Sequence, residues 1–260
     1  MADLRLTLIQ TKLHWESIAK NLSHFDNLVQ KVKRNSTDLI LLPEMFSTGF
    51  SMNTSLAEPV NGTAFQWMKK TAAEKNCVVC GSIMTTEKGK NFNRLIWMQA
   101  DGNFFKYDKR HLFRMGNEHL HYTAGSEKII TELKGWKIMP LICYDLRFPV
   151  WSRQQKDKYD LLIYVANWPQ RRSHAWKSLS VARAIENICY VAAVNRVGKD
   201  GRGINHTGNS AVIDFIGNKI SKTKPRFQSV ETIKLSKREL EKFRKEFPAL
   251  TDADNFELKK

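Results

Sequence analysis

The chain has 260 residues, of which 42% are hydrophobic, and a formal net charge of +16. A chain of this length can bury a large core, and the length suits one large domain at least as well as two small ones. The first ten residues alternate apolar and polar positions, unlike a signal peptide, and no apolar run reaches the roughly 18 residues of a membrane span. We therefore expect a soluble cytoplasmic protein without a membrane partner.

The strongly basic charge raises the possibility of nucleic-acid binding. The lysines and arginines are nevertheless scattered, and their modest concentration near the C-terminus is interrupted by Glu239, Glu241 and Glu246. This pattern favours a solvated helix with alternating charge. We expect no nucleic-acid partner, and a basic nucleic-acid-binding protein is kept as the non-enzyme alternative.

The four cysteines are too few for a disulfide framework in a chain this long, which fits a reducing compartment. Cys77 and Cys80 form a Cys-x-x-Cys pair inside an apolar run. The period of two in a strand would send these side chains to opposite faces. No second ligand pair follows at zinc-site spacing, so we expect no metal site.

In chain order, the pattern alternates between strands and helices. Apolar runs typical of buried strands cover 4–10, 38–42, 77–83, 94–99, 104–107, 137–143, 160–166, 188–195 and 209–215. Apolar residues at three-to-four spacing predict helices over 14–34 and 173–187. Turn pairs at Asp101-Gly102 and Gly217-Asn218 predict hairpins, so the sheet should be mixed. The chain is thus predicted to form a layered α/β domain over residues 1–245, followed by a tail over 246–260.

Three chemically active side chains directly follow buried runs. Glu44 comes after the run ending at Pro43, Lys109 after the run ending at Asp108, and Cys143 after the run 138–142. Ligands bind beyond the carboxyl ends of strands in open α/β sheets, so a carboxylate, an ammonium and a thiol could meet at one edge.

A cysteine thiol is only a few per cent ionised at neutral pH, so a nucleophilic cysteine needs a base or a nearby cation. Glu44 and Lys109 would supply both to Cys143. A cysteine-histidine pair is the alternative reading. Its candidate histidines are His111, His119, His121 and His206, none of which follows a long apolar strand, and His206 in its glycine-rich loop is expected to be structural.

Pro-Glu at 43–44, YDKRHLF at 107–113 and ICYDLRFP at 142–149 resemble the three signature stretches of the nitrilase superfamily of carbon-nitrogen hydrolases. Further blocks at 167–169, 182–187 and 195–198 follow in the expected order. Within that superfamily, the segments at 43–52 and 118–125 look most like the bacterial ω-amidase branch. That branch hydrolyses the terminal amide of 2-oxoglutaramate and related 2-oxo acid amides such as 2-oxosuccinamate.

The resemblance implies a fold and an assembly. The fold would be a four-layer α-β-β-α sandwich with a mixed pair of central sheets, and two chains would pair through helices as a homodimer. The tail over 246–260 would reach across to the partner subunit. The partner molecule in catalysis would be a small amide, and no cofactor would be required.

The resemblance also implies roles for individual residues. Cys143 would attack the amide and form a thioester, with Glu44 as general base and acid. Lys109 and the backbone N–H of Tyr144 would stabilise the oxyanion. Three further residues would shape the substrate site: Glu118 would position the substrate, and Phe113 and Trp168 would wall the pocket.

Several alternatives stay open at this point. The enzyme could belong to another amide-hydrolysing branch, with an N-carbamoyl amino acid or an aliphatic amide as its substrate, or the chain could be a scaffold that has kept the fold without activity. A true nitrilase is disfavoured because Tyr144 and Asp145, rather than Trp and Glu, follow the cysteine. We expect Asp145 and Arg147 to form an internal ion pair. The candidates for binding a substrate carboxylate are Arg147, Arg171, Arg172 and Arg196.

Overall fold

The computed structural model describes residues 2–155 and 158–258. In its first sheet, which contains the strands near residues 40 and 80, successive side chains point to opposite faces. Leu39 and Leu41 belong to the core on one side of this sheet, whereas Ile40 belongs to the core on the other side. Cys80 and Cys77 are divided between the same two cores, as a period of two predicts. The two cysteines therefore do not form a joint ligand or redox pair.

The strands and helices within the described residues are as follows. The strands are β1 (Leu4–Gln10), β2 (Leu39–Leu41), β3 (Glu58–Pro59), β4 (Val78–Glu87), β5 (Lys90–Met98), β6 (Phe104–Asp108), β7 (Thr131–Leu133), β8 (Trp136–Ile142), β9 (Leu161–Ala166), β10 (Tyr190–Asn195), β11 (Val197–Lys199), β12 (Asn205–Thr207), β13 (Ala211–Ile213) and β14 (Ser229–Leu235). The α-helices are α1 (Ile18–Val29), α2 (Thr63–Lys75), α3 (Glu118–His121), α4 (Pro149–Ser152), α5 (Ser173–Asn187) and α6 (Lys237–Glu246).

The strands form two mixed sheets. In the first sheet the order is β14-β1-β2-β4-β5-β6, with β3 paired to β4, and in the second it is β13-β10-β9-β8-β7. The central pairs β1-β2, β2-β4, β8-β9 and β9-β10 are parallel, and the outer pairs include antiparallel ones. The hairpin predicted at Asp101-Gly102 is confirmed, because β5 and β6 pair antiparallel around it.

The two sheets pack face to face between helices. Side chains of β1, β2 and β4 share one core with side chains of β8, β9 and β10, which places that core between the sheets. Helices α1 and α2 pack on the outer face of the first sheet, and α5 and α6 pack on the second. The four-layer α-β-β-α arrangement is therefore confirmed. No helix in the described part of the chain is both long and apolar enough to cross a membrane.

Helix α1 is shorter than the 14–34 segment predicted from apolar spacing. The side chain of Asn21 accepts from the His14 N–H at 2.7 Å and donates to the His14 carbonyl at 2.7 Å. These bonds hold the preceding residues in a non-helical turn, so the helix begins only at Ile18.

Helix α6 is attached to the second sheet rather than wholly solvated. Leu240 is buried, and Lys237 and Arg244 both form ion pairs with Asp160. The distance from Arg244 Nη1 to Asp160 Oδ1 is 2.8 Å. The chain continues into a short 3₁₀ turn (Ala249–Thr251), and residues 259–260 of the predicted tail lie outside the described residues. The domain boundary at 245 stays a prediction.

Candidate active site

The ends of three strands meet in one pocket that draws on both sheets. Glu44 follows β2 and Lys109 follows β6 in the first sheet, whereas Cys143 follows β8 in the second. All three side chains line a cavity of about 100 Å³. The structure thus brings together the three residues that the strand-end pattern singled out.

The ammonium of Lys109 lies between two carboxylates. Its Nζ is 2.8 Å from Glu44 Oε1, 3.0 Å from Glu118 Oε1 and 2.9 Å from Glu118 Oε2. The three side chains are almost completely buried, so these charge-assisted bonds are shielded from water. Glu118 does not line the cavity but lies behind Lys109, where it also accepts the Phe113 N–H at 2.6 Å.

Burial and charge act in opposite directions on these groups. Burial disfavours the charged form of Lys109, but Glu118 and Glu44 outweigh it and raise the pKa of the ammonium well above its ordinary value. For Glu118, burial raises the pKa, the nearby charge of Lys109 lowers it, and Glu44 raises it further, with a net upward shift. Lys109 is therefore a permanent cation at the floor of the pocket.

Asn93, on β5, is a member of this cluster that the sequence patterns did not identify. Its Nδ2 donates to Glu44 Oε1 at 2.8 Å and to Glu118 Oε1 at 3.0 Å. One neutral amide and one ammonium thus hold two buried carboxylates side by side. The sequence signal is weak, because a polar residue inside an alternating strand normally faces solvent.

Glu44 is also fixed from the second sheet. The backbone N–H of Asn167, directly after β9, donates to Glu44 Oε2 at 2.8 Å, and the Asn167 side-chain amide donates to the Glu44 carbonyl. Asn167 lines the cavity as well. Each carboxylate oxygen of Glu44 therefore has a donor, which leaves the group little freedom to rotate.

Cys143 has a strained backbone and a protonated thiol. Its φ is +42°, in the left-handed region that non-glycine residues rarely adopt, at the start of a 3₁₀ turn from Cys143 to Arg147. Burial raises the pKa of the thiol well above its ordinary value, and the negative charge of Glu44 raises it further. An attack by sulfur at neutral pH thus requires transfer of the thiol proton to a base.

Asp145 anchors the turn after Cys143, but not through the ion pair predicted with Arg147. Its buried carboxylate accepts from the Tyr107 hydroxyl at 2.7 Å, the Ile142 N–H at 3.1 Å and the His111 N–H at 3.0 Å. Within the described residues, no contact of 4.0 Å or less joins it to the Arg147 guanidinium, so that prediction was wrong. Side chains two positions apart in the tight turn point in different directions.

Aromatic rings form much of the pocket wall. Phe113, Tyr144 and Trp168, all predicted at the substrate site, line the cavity together with Phe50. The Tyr144 ring packs edge-to-face on Phe113 with centroids 5.1 Å apart. Lys109 Nζ lies 5.1 Å from the centroid of Phe50, which is within the range of a cation–π contact.

Of the four candidate histidines, His206 lines the cavity. Its Nδ1 is 3.0 Å from the Ile204 carbonyl, and burial together with the charge of Arg196 lowers its pKa to about 4. His111 instead stacks on Phe148 and bonds to Asp145. The neutral His206 is engaged with the backbone of its loop, as expected of a structural residue.

The candidate arginines separate into two groups. Arg147, Arg171 and Arg172 line the cavity, as does Arg202, which the sequence patterns did not identify. Arg196 is buried elsewhere and donates to the carbonyls of Leu13, Val197 and Lys199. Arg196 therefore supports loop structure and is removed from the candidates for substrate binding.

Comparisons with known proteins agree with this geometry. The carbon-nitrogen hydrolase family model matches residues 5–245. The chain is 44% identical to the ω-amidase YafV of Escherichia coli K12 over 99% of this chain and 100% of that protein, and 35% identical to the 2-oxoglutaramate amidase of Bacillus subtilis over 80% of this chain and 82% of that protein.

A solved structure provides a further comparison. The CN-hydrolase superfamily protein XC1258 from Xanthomonas campestris, which carries an arsenic adduct in its active site, is 43% identical to this chain. It matches with a TM-score of 0.97 over 100% of both chains. The family predicted from the signature stretches is confirmed, and the chain belongs to the carbon-nitrogen hydrolase family.

Proposed function

We propose that this protein is an ω-amidase, which hydrolyses the terminal amide of 2-oxo acid amides such as 2-oxoglutaramate and 2-oxosuccinamate to the acid and ammonia. The observation that carries the proposal is the meeting of Cys143, Glu44 and Lys109 in one buried pocket. The names and full-length similarity of the ω-amidase relatives support the choice of substrate.

In the first half of the proposed reaction, Glu44 accepts the thiol proton while Cys143 Sγ attacks the amide carbonyl carbon. Because the thiol is protonated at neutral pH, the two events have to be coupled. Glu44 then delivers the proton to the departing nitrogen, the C–N bond breaks, and ammonia leaves a thioester on Cys143. In the second half, Glu44 takes a proton from water as the water oxygen attacks the thioester carbonyl carbon. The C–S bond then breaks, Glu44 returns the proton to Cys143 Sγ, and the carboxylic acid leaves.

Lys109 and the backbone N–H of Tyr144 would stabilise the oxyanion of both tetrahedral intermediates. The raised pKa of Lys109 keeps its ammonium charged throughout. Tyr144 follows Cys143 at the start of the 3₁₀ turn, where the first N–H groups have no acceptor within the turn. Two such donors, already in position before reaction, are each worth about 3 kcal/mol in comparable sites.

Glu118 would act through Lys109, because it holds the ammonium by two short contacts without lining the cavity itself. In this proposal it positions the cation, and Phe113 and Trp168 enclose the substrate. These steps use side chains, backbone and water.

We further propose a cytoplasmic homodimer. Ile185 on α5 and Ile216 in the turn before Gly217 are each 50% exposed on the outer layer of the second sheet, where a second subunit would cover them. Light scattering after size-exclusion chromatography tests this assembly, and a mass near one chain of 30.1 kDa would contradict it.

Ammonia release tests the proposed function. The substrates are 2-oxoglutaramate, 2-oxosuccinamate, glutamine, asparagine, a carbamoyl amino acid and a simple nitrile. We expect turnover of the two 2-oxo amides and its loss in Cys143→Ala, whereas Cys77→Ala, a buried thiol remote from the pocket, should retain it. Cleavage of the carbamoyl compound with none of the 2-oxo amides would refute the ω-amidase proposal. Equal turnover by wild type and Cys143→Ala would refute the mechanism.

A further inference from the structure

The mouth of the active-site pocket is strongly cationic. Five basic and two acidic side chains line the cavity, and one of each, Lys109 and Glu44, already pair with each other at the floor. The others are Arg147, Arg171, Arg172, Arg202 and Asp200. The remaining wall thus carries a clear excess of positive charge.

Arg147 and Arg172 differ from the other two arginines in being half-buried, whereas Arg171 and Arg202 are exposed. The guanidinium of Arg147 lies 5.2 Å from the centroid of Trp168, and that of Arg172 lies 4.9 Å from the centroid of Phe113. A guanidinium at this distance over an aromatic face is attracted by the ring, and the contact does not use its N–H groups as donors to an oxygen. Both guanidinium groups are therefore held against the aromatic wall by these contacts.

Among the residues that the structure describes, neither half-buried guanidinium has an acidic partner. Within residues 2–155 and 158–258, the ion pairs with contacts of 4.0 Å or less do not include Arg147 or Arg172. Arg172 Nη1 instead faces Met115 Sδ at 3.8 Å, and a thioether is a weak acceptor. Asp200, the acidic side chain of the wall besides Glu44, accepts the backbone N–H groups of Arg202 and Ile204 within its own loop.

This arrangement has an electrostatic cost. Burial lowers the pKa of Arg172, and the charges of Arg171 and Arg147 lower it further. Like charges gathered in a partly desolvated wall repel one another unless an anion lies between them. A carboxylate offers two oxygens that match the guanidinium fork, and it would relieve both the repulsion and the unused donors.

We propose that Arg172 and Arg147 together bind the carboxylate of the substrate and so select anionic amides over neutral ones. The inference deepens the ω-amidase proposal and rests on it. With the carboxylate held at the aromatic wall formed by Phe113 and Trp168, the amide at the other end of a short chain reaches Cys143. The pocket thereby recognises both the carboxylate and the amide of the substrate.

Paired substrates test this proposal. In 4-oxopentanamide a methyl group replaces the carboxylate of 2-oxoglutaramate, and the amide end is the same. We expect Arg172→Met and Arg147→Met to lower kcat/KM for 2-oxoglutaramate on the order of 10- to 100-fold, mostly through KM, because each loses charge-assisted hydrogen bonds. Turnover of 4-oxopentanamide should change by less than about threefold, since that substrate never made those bonds. Arg172→Lys, which keeps the charge without the fork, should fall between wild type and Arg172→Met.

Control variants distinguish the effect of Arg147 and Arg172 from a general effect of positive charge on the protein. Arg238→Met removes a positive charge from the exposed surface of α6 and should leave both substrates unaffected. Thermal unfolding of each variant shows whether the chain still folds. Equal losses for the two substrates, or a selective loss in Arg171→Met or Arg202→Met instead of the half-buried pair, would overturn the proposal.

A binding measurement keeps this test independent of catalysis. In the Cys143→Ala background, calorimetry gives the Kd of the product 2-oxoglutarate with and without Arg172→Met. Binding weakened on the order of tenfold or more supports the anion site, and unchanged binding overturns it. If the wild type fails to cleave 2-oxoglutaramate while this arm still shows arginine-dependent binding, the ω-amidase proposal fails and the anion site stands.

Discussion

Asn93 donates its side-chain amide to Glu44 at 2.8 Å, on the same Oε1 atom that accepts the ammonium of Lys109 at 2.8 Å. The proposed general base thus has one oxygen stabilised by two buried donors. Both donors restrict the rotation of the carboxylate that accepts the thiol proton in the proposed reaction. Asn93 is a positioning residue in this scheme, since it acts on the base and does not line the cavity.

Asn93→Asp should impair the enzyme severely. The change keeps the size of the side chain but replaces two donated hydrogen bonds with a third carboxylate beside Glu44 and Glu118. We expect kcat/KM to fall by about 100-fold or more, mostly through kcat, because the change acts on the base and not on substrate binding. Steady-state kinetics that separate kcat from KM measure this effect. Asn91→Asp, two residues earlier on β5, is the control, and kinetics identical to wild type in Asn93→Asp would show that the bridge is unimportant.

Glu118→Gln should weaken both the site and the fold. The amide can still accept from the Phe113 N–H, but Lys109 is left with one carboxylate instead of two. We expect a loss of about 1–3 kcal/mol in the free energy of unfolding, as for hydrogen bonds to a charged group. Turnover should fall by about tenfold or more. Urea unfolding and steady-state kinetics measure these changes. The exposed Glu132→Gln serves as control, and unchanged stability in Glu118→Gln would mean that Glu44 alone satisfies the ammonium.

Cys143→Gly should be more stable than Cys143→Ala, although both are inactive. The left-handed φ of +42° costs an L-residue about 1 kcal/mol that glycine avoids. In a domain of this size the difference corresponds to roughly 2–4 °C in Tm, measurable by calorimetry. Ala166→Gly, at the end of β9 where φ is not positive, should instead lose stability. A glycine variant that melts below the alanine variant would argue against strain at the nucleophile.

His206 should make stability depend on pH in the acidic range. Its pKa falls from the ordinary value of 6.5 to about 4 because burial, and next the charge of Arg196, disfavour the imidazolium. Between these values the unfolded chain binds a proton that the folded chain does not, so stability is lost as pH falls through this window. The loss approaches about 3 kcal/mol near pH 4.

The measurement is urea unfolding at several pH values between 7 and 4. Carboxylates titrate in the same range, so the informative quantity is the difference between wild type and His206→Asn, which should shrink as the pH falls. The exposed His174→Asn should keep the wild-type slope. A constant difference between wild type and His206→Asn would rule out a titrating role for this histidine.

The sequence was most informative where local pattern and chemistry coincide. Glu44, Lys109 and Cys143 could be found because each follows an apolar run whose end is visible in the sequence. Asn93 could not, because its partners are 49 and 25 positions away and nothing local distinguishes it from an ordinary strand residue. The hydrogen bonds that identify Asn93 as part of the site form only when the chain is folded.

Strand β14 and helix α2 are among the elements that escaped prediction, for a similar reason. Strand β14 is mostly half-buried, with lysine and glutamate among its residues, and its pairing with β1 joins positions more than 200 residues apart. In helix α2, lysines and threonines dilute an apolar face whose burial against β4 becomes evident only in the packed structure. Tertiary contacts, rather than local propensity, determine both.

The division of the site between the two sheets links catalysis to the core. Glu44 and Lys109 extend from one sheet and Cys143 from the other, so the reach from base to sulfur depends on how thickly side chains such as Leu41 and Leu141 fill the space between them. A displacement of about 1 Å in reacting groups can cost about 100-fold in rate. Core side chains that never contact the substrate therefore set the distance between the base and the nucleophile. Loosening of this layer on heating should reduce turnover before the chain unfolds.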